Sequence, residues 1–107
     1  MKINQLVKMA HDNSVKKGFW EDRREFGTSL ALIHSEISEA LEDERAGRGY
    51  NEVYFEGEKP CGIPTELADA VIRIADLCGA YGIDLEKAIE TKMVYNTTRP
   101  FKHGKKL

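Results

Sequence analysis

The chain has 107 residues, of which 41% are hydrophobic and 32% charged, and its formal net charge is −2. This length suits one small helical or mixed domain, and we expect residues 1–107 to form a single unit. The charge provides no basic surface for nucleic acid or an anionic membrane, and no apolar run reaches the length of a membrane span. The first residues lead directly into an amphipathic pattern without a secretory signal, so we expect a cytoplasmic location.

Apolar residues at helical spacing predict two helices in the first half of the chain. The first covers residues 3–17, and Gly18 ends it. The second begins at Thr28 or Ser29, either of which is a good N-cap, and continues to residue 46. Its expected core stripe consists of Leu30, Ile33, Ile37 and Leu41.

The second half of the chain contains two further helical patterns. The third helix begins at Pro64 or Thr65, since proline fits the first helical turn, and closes within residues 79–82. Its expected core stripe is Leu67, Val71, Ile74 and Cys78. The fourth helix begins after the N-cap Asp84 and ends before Pro100.

The segment between the second and third helices, residues 50–63, is long for a connection between helices. It is rich in aromatic residues that need a packing partner, and a short extended piece fits there. The chain therefore reads as all-α, a four-helix bundle with one long loop between its second and third helices.

Two short acidic motifs lie in the middle helices: Glu36-x-x-Glu39 and Glu66-x-x-Asp69. A spacing of three residues places both carboxylates of a motif on one part of the helix surface. Both motifs border an apolar stripe, where a charge is costly unless it is paired or bound to a cation. Four carboxylates brought together by helix packing would suit Mg²⁺ or Mn²⁺. The alternative is ordinary solvated helix surface, because glutamate is a strong helix former.

The acidic pattern resembles that of the all-α nucleoside triphosphate pyrophosphatases, specifically the MazG-like group. Their pattern is ExxE, a spacer and ExxD, and here the spacer is residues 40–65. Lys92 and Asn96, one turn apart on the last helix, match the family's phosphate-binding pair, and residues 97–104 look like its C-terminal run. The likeness covers residues 3–104.

The resemblance implies a Mg²⁺-dependent pyrophosphohydrolase with a house-cleaning role. Such an enzyme cleaves a nucleoside triphosphate between its α- and β-phosphates, which releases the monophosphate and pyrophosphate. The four acidic side chains of the two motifs would then be metal ligands and catalytic groups, and the protein would be a homo-dimer or homo-tetramer. Related enzymes that act on phosphoribosyl-ATP or dUTP share the pattern. A non-catalytic helical interaction module is an alternative of a different class.

Four further side chains are candidates for a role at this site or in the fold. Trp20 either stacks on a nucleobase or caps the core. Arg99 adds positive charge near the phosphate-binding end of the fourth helix. Arg73 is expected to pair with Glu66 or Asp69 as a structural bridge, the alternative being contact with a phosphate. Asp76 is a candidate fifth acid near the metal.

The sequence shows few other signs of a catalytic or metal site. Cys61 and Cys78 do not have the spacing of a zinc site, and we expect Cys78 to be a small core residue. His11 has no partner that the sequence reveals. Residues 102–106 form a short basic tail. The chain lacks a GxxxxGK[ST] loop, so any phosphate binding would depend on metal and on basic side chains.

Overall fold

The computed structural model describes residues 1–22 and 24–101 and consists of four helices and one hairpin. The helices are α1 (Ile3–Lys16), α2 (Phe26–Arg45), α3 (Ile63–Tyr81) and α4 (Leu85–Thr97). Strands β1 (Tyr54–Glu56) and β2 (Lys59–Cys61) pair antiparallel between α2 and α3. The mostly helical architecture is as predicted, and the hairpin is the extended piece expected in the long loop. The predicted basic tail at residues 102–106 lies outside the described residues.

α2 starts earlier than the sequence predicts. Its N-cap is Glu25, so the assignment of that position to Thr28 or Ser29 was wrong. The ring of Phe26 meets Tyr81 of α3 edge to face, with ring centroids 5.0 Å apart. This contact between the helices favours a helical start at Phe26, although no side chain caps the helix there. The other N-cap prediction is confirmed, since Asp84 accepts a hydrogen bond from the Lys87 backbone N–H.

α3 is the central helix, and it packs against α1 on one side and α2 on the other. Val7, Ala75 and Cys78 are the centre of the core, and Leu6 and Leu85 pack against them. Cys78 is therefore a core residue, as predicted, and both cysteines are free thiols. Within the described residues, none of the helices has the length and apolar character needed to cross a membrane.

Gly62 determines how the chain enters α3 from the hairpin. Its φ of 119° is a conformation that side chains other than glycine rarely adopt. A Cβ at this position would overlap the backbone oxygen of Glu52. Glycine therefore permits the close turn that places the first turn of α3, including Glu66, beside α2.

The large aliphatic residues predicted as core in α2 and α3 are largely exposed in the single chain. Alanines and glutamates fill the contact between α2 and α3 instead: Ala40, Ala70, Glu36 and Glu66 are buried. Because alanine side chains are small, the two helices approach closely. The larger aliphatic side chains lie outside this contact. We call the outward surface the apolar face, and it comprises Leu30, Ile37, Leu41, Leu67, Val71 and Ile74. The predicted core stripes were wrong at these six positions.

α4 is only loosely packed against the rest of the described chain. It packs chiefly against α1, where the Asn4 side-chain amide donates to Asp84 at 3.0 Å. All thirteen of its residues are described, and none is buried. The radius of gyration is 16.3 Å, whereas a compact domain of this length would have about 13 Å. The described chain is thus more extended than a closed four-helix bundle.

Candidate metal centre

Three carboxylates meet where α2 packs against α3. Glu36 and Glu39 come from α2, one turn apart, and Glu66 comes from the first turn of α3. One carboxylate oxygen from each lies within 4.8 Å of the others. Glu36 and Glu66 are buried, whereas Glu39 is exposed. The helix contact thus brings together the three acids that the sequence singled out in these positions.

The electrostatics of this cluster are unfavourable without a cation. Burial is the largest cause that raises the pKa of Glu66, and together with the neighbouring carboxylates of Glu39 and Glu36 it brings this pKa to about 7. A bound divalent cation would reverse this effect, because it favours the ionised carboxylates.

Asp69, the fourth predicted ligand, lies at the edge of the cluster. Its carboxylate does not belong to the group of oxygens within 4.8 Å, and its side chain is exposed. Desolvation raises its pKa and the charge of Glu36 adds to this, while the Arg73 guanidinium opposes it. Lys59 on β2 also lowers the pKa of Asp69. It is a nearby cation that sequence reasoning missed, because only the fold of the hairpin brings it close.

A cleft of about 340 Å³ opens beside the carboxylates. Its walls come from the three helices α1, α2 and α3 and from the segment that follows α1. They present both apolar and polar groups. The lining residues are Ala10, Asn13, Ser14, Phe19, Arg24, Glu36, Asp69, Ile72, Arg73 and Asp76. Because Glu36 and Asp69 line this cleft, a ligand in it would lie next to the acidic cluster.

Arg73 pairs with a different acid from the one predicted. Its Nε donates to Glu36 Oε1 at 2.7 Å, which joins α3 to α2. The prediction of a bridge to Glu66 or Asp69 was wrong. Both of those residues lie on the same helix as Arg73, whereas the helix packing brings Glu36 within reach from the neighbouring helix.

Asp76 is not a fifth acid of the cluster. Its Oδ1 accepts a hydrogen bond from Trp20 Nε1 at 2.9 Å and lies 2.9 Å from His11 Nδ1. These partners hold the carboxylate at the junction of α1 and α3. His11 therefore has a partner after all, which the sequence did not reveal because the two residues are 65 positions apart.

Trp20, predicted to bind substrate, is engaged within the protein. Besides its hydrogen bond to Asp76, its ring meets His11 and Tyr81 edge to face, with centroid distances of 5.8 and 6.3 Å. The guanidinium of Arg24 lies 5.5 Å from the ring centroid. These contacts match the alternative in which Trp20 caps the core between α1 and α3.

The predicted phosphate-binding residues of the last helix lie away from the cleft lining. Lys92, Asn96 and Arg99 are not among the residues that line the cleft. Lys92 Nζ and the Arg99 guanidinium instead lie 5.1 and 5.5 Å from the ring centroid of Tyr95. Within a single chain, the structure does not join these residues to the carboxylates.

The donor set of the cluster consists entirely of carboxylate oxygens, which fits Mg²⁺ or Mn²⁺ and not a metal that prefers sulfur or imidazole ligands. Glu36, Glu39 and Glu66 would hold the ion, and the adjoining cleft would leave room for water and a phosphate group. Comparison of the chain with protein-family models, with curated proteins and with solved structures finds no match.

Proposed function

We propose that this protein is a Mg²⁺-dependent nucleotide pyrophosphohydrolase of the MazG-like type. The observation that carries the proposal is the meeting of Glu36, Glu39 and Glu66 within 4.8 Å beside an open cleft. The resemblance of the two acidic motifs to the pyrophosphatase signature supports the same reaction. The products would be a nucleoside monophosphate and pyrophosphate.

Each acid has a role that follows from its position. Glu36, Glu39 and Glu66 would hold Mg²⁺, which when bound offsets phosphate charge and activates water. Asp69 lies next to the ligands without belonging to their cluster, so its carboxylate would be free to orient the attacking water and accept its proton. Its raised pKa fits this role, because a general base works best when its pKa approaches the operating pH.

We also propose that the working form is a homo-oligomer. The apolar face has members on both α2 and α3, and each of its six side chains is at least 37% exposed. α4 carries further exposed apolar residues, Met93 and Val94, and none of its residues is buried, although Leu85 packs against the core. A second copy of the chain would cover these surfaces. Lys92 and Asn96 could then approach the carboxylates of the partner.

The test is release of pyrophosphate from a panel of nucleotides in the presence of Mg²⁺. The panel includes the natural and modified deoxynucleoside triphosphates, dUTP and phosphoribosyl-ATP, because the related enzymes differ in substrate. Mg²⁺-dependent release from any of them supports the proposal. If none is cleaved, and neither Mg²⁺ nor a nucleotide raises the melting temperature, the protein is a non-catalytic helical module.

A further inference from the structure

Arg73 contacts a buried carboxylate and also lines the cleft. Its Nε donates to Glu36 Oε1 at 2.7 Å, and the Glu36 side chain is only 10% exposed. The Arg73 side chain is 42% exposed and lines the cleft together with Asp69. The guanidinium therefore connects a metal-ligand candidate to the space in which a substrate would lie.

The donors of Arg73 are only partly used. A guanidinium has five N–H donors in a rigid planar fork, which matches phosphate and carboxylate oxygens. Within residues 1–22 and 24–101, the recorded hydrogen bond of Arg73 is the one from Nε to Glu36. Its two Nη groups thus remain available to a ligand in the cleft.

A polyphosphate that enters this cleft meets negative charge from Glu36 and Asp69. A cation supplied by the protein on the cleft wall would offset the repulsion on the side away from the metal. Arginine does this well, because its charge is permanent and its hydrogen bonds to phosphate are charge-assisted and frequently bidentate.

Resting on the proposed function, we infer that Arg73 acts on both the metal site and the substrate. Its Nε orients Glu36 toward the carboxylate cluster, and its Nη groups bind a phosphate group of the nucleotide. It is thus a positioning residue for Glu36 and a phosphate-binding residue for the substrate. A purely structural ion pair would do only the first.

Two titrations of Arg73→Gln separate these roles. The first adds Mg²⁺ alone to the metal-free protein, and the second adds inorganic pyrophosphate at saturating Mg²⁺, both followed by calorimetry. We expect Mg²⁺ alone to bind more weakly than in the unmodified protein, because Glu36 loses the partner that orients it toward the cluster. Pyrophosphate should bind roughly tenfold more weakly or worse, because a charge-assisted contact to phosphate is lost.

Two further variants complete the design. Arg73→Lys keeps a charge near Glu36 but lacks the fork, so it should fold normally and still lose pyrophosphate affinity several-fold; it carries the test if Arg73→Gln does not fold. Arg45→Gln is the matched control, because Arg45 forms an exposed ion pair with Glu42 on α2. It should leave both titrations unchanged.

Two results would overturn the role of Arg73. One is unchanged pyrophosphate affinity in both Arg73 variants. The other is unchanged Mg²⁺ affinity in Arg73→Gln, which would show that Arg73 does not position Glu36. Failure of the proposed function is distinguishable, since the unmodified protein would then release no pyrophosphate from any nucleotide.

Discussion

Glu36 of α2 and Glu66 of α3 are both buried, and one carboxylate oxygen of each lies within 4.8 Å of the other across the contact between the helices. Ionising both carboxylates at such a contact costs free energy unless a cation binds between them. A proton held by one of the two groups avoids the same cost. A proton stabilises this arrangement at low pH. At neutral pH a divalent cation would take over that role, and the stability of the fold would then depend on the bound cation.

The first prediction concerns the stability of the metal-free protein as a function of pH. The pKa of Glu66 is raised from the ordinary 4.5 to about 7 in the folded state, so the folded state holds the proton more tightly. Stability from this group is fully present below the unfolded pKa and is lost as pH rises through about 7. Between pH 4.5 and 7 we expect the free energy of unfolding to fall by up to about 3 kcal/mol.

Urea denaturation in the presence of a chelator, at pH 5 and at pH 8, measures this change. Glu66→Gln serves as the comparison, because an amide has no proton to lose and the pH dependence should shrink. Adding Mg²⁺ at pH 8 should restore stability to the unmodified protein and not to the variant. An identical pH dependence in the two proteins would rule out Glu66 as the source.

The second prediction separates the ligands from Asp69. Glu36→Gln, Glu39→Gln and Glu66→Gln should each weaken Mg²⁺ binding by at least about tenfold, the loss seen even when an outer partner of a metal ligand is removed. Asp69→Asn should largely keep Mg²⁺ binding and lose roughly a hundredfold or more in turnover, as expected for a general base.

Calorimetry and the pyrophosphate assay measure these two effects. Glu42→Gln is a suitable control because Glu42 lies on α2 but is exposed and paired with Arg45. Full activity in Glu39→Gln or in Asp69→Asn would refute the role given to that residue.

The third prediction is that the apolar face mediates self-association. Leu41 and Val71 are 44% and 52% exposed in the single chain. Burial of a Leu or Val side chain contributes about 1.5–3 kcal/mol, and a charge placed there would be costly. Light scattering should therefore find an oligomer for the unmodified protein and a shift to monomer for Leu41→Glu and Val71→Glu. A monomeric unmodified protein at all concentrations would refute this prediction.

The fourth prediction concerns the contact between α1 and α3. A Cβ at Gly79 would lie 2.5 Å from the Cβ of His11, so Gly79→Ala must push the two helices apart. Overpacking of this kind costs about 1–3 kcal/mol, which exceeds the gain of up to about 1 kcal/mol in helix propensity. The melting temperature should fall.

Gly27→Ala provides the control for Gly79→Ala, because nothing lies within 4 Å of a Cβ at Gly27. Gly27 also lies within a helix, so its replacement should leave the melting temperature unchanged or raise it. A more stable Gly79→Ala protein would mean that α1 and α3 pack less closely at this point than described.

The sequence predicted several local features because they depend on neighbouring residues, although it misplaced the N-cap of α2. Asp84 as an N-cap and Cys78 as a core residue follow from short patterns. The acidic motifs were found from an i, i+3 spacing, which fixes one helix surface. Their meeting across α2 and α3 was a hypothesis about packing, and the structure places three of the four carboxylates together.

The features that the sequence did not reveal depend on distant residues. The partner of Arg73 lies on another helix, and His11 and Trp20 share Asp76 across 65 and 56 positions. The exposed aliphatic residues were read as core because the periodicity of a single sequence does not distinguish a stripe that packs within the chain from one that stays exposed in it. In both cases the missing information is the tertiary packing, which the periodicity of one sequence does not contain.

The most direct test of the metal centre is a crystal structure of the protein grown with Mn²⁺, using the anomalous scattering of the ion. The account predicts an anomalous peak bonded to carboxylate oxygens of Glu36, Glu39 and Glu66, at the contact between α2 and α3. A well-ordered site without such a peak in the presence of millimolar Mn²⁺, or with the ion bound only elsewhere, would contradict it.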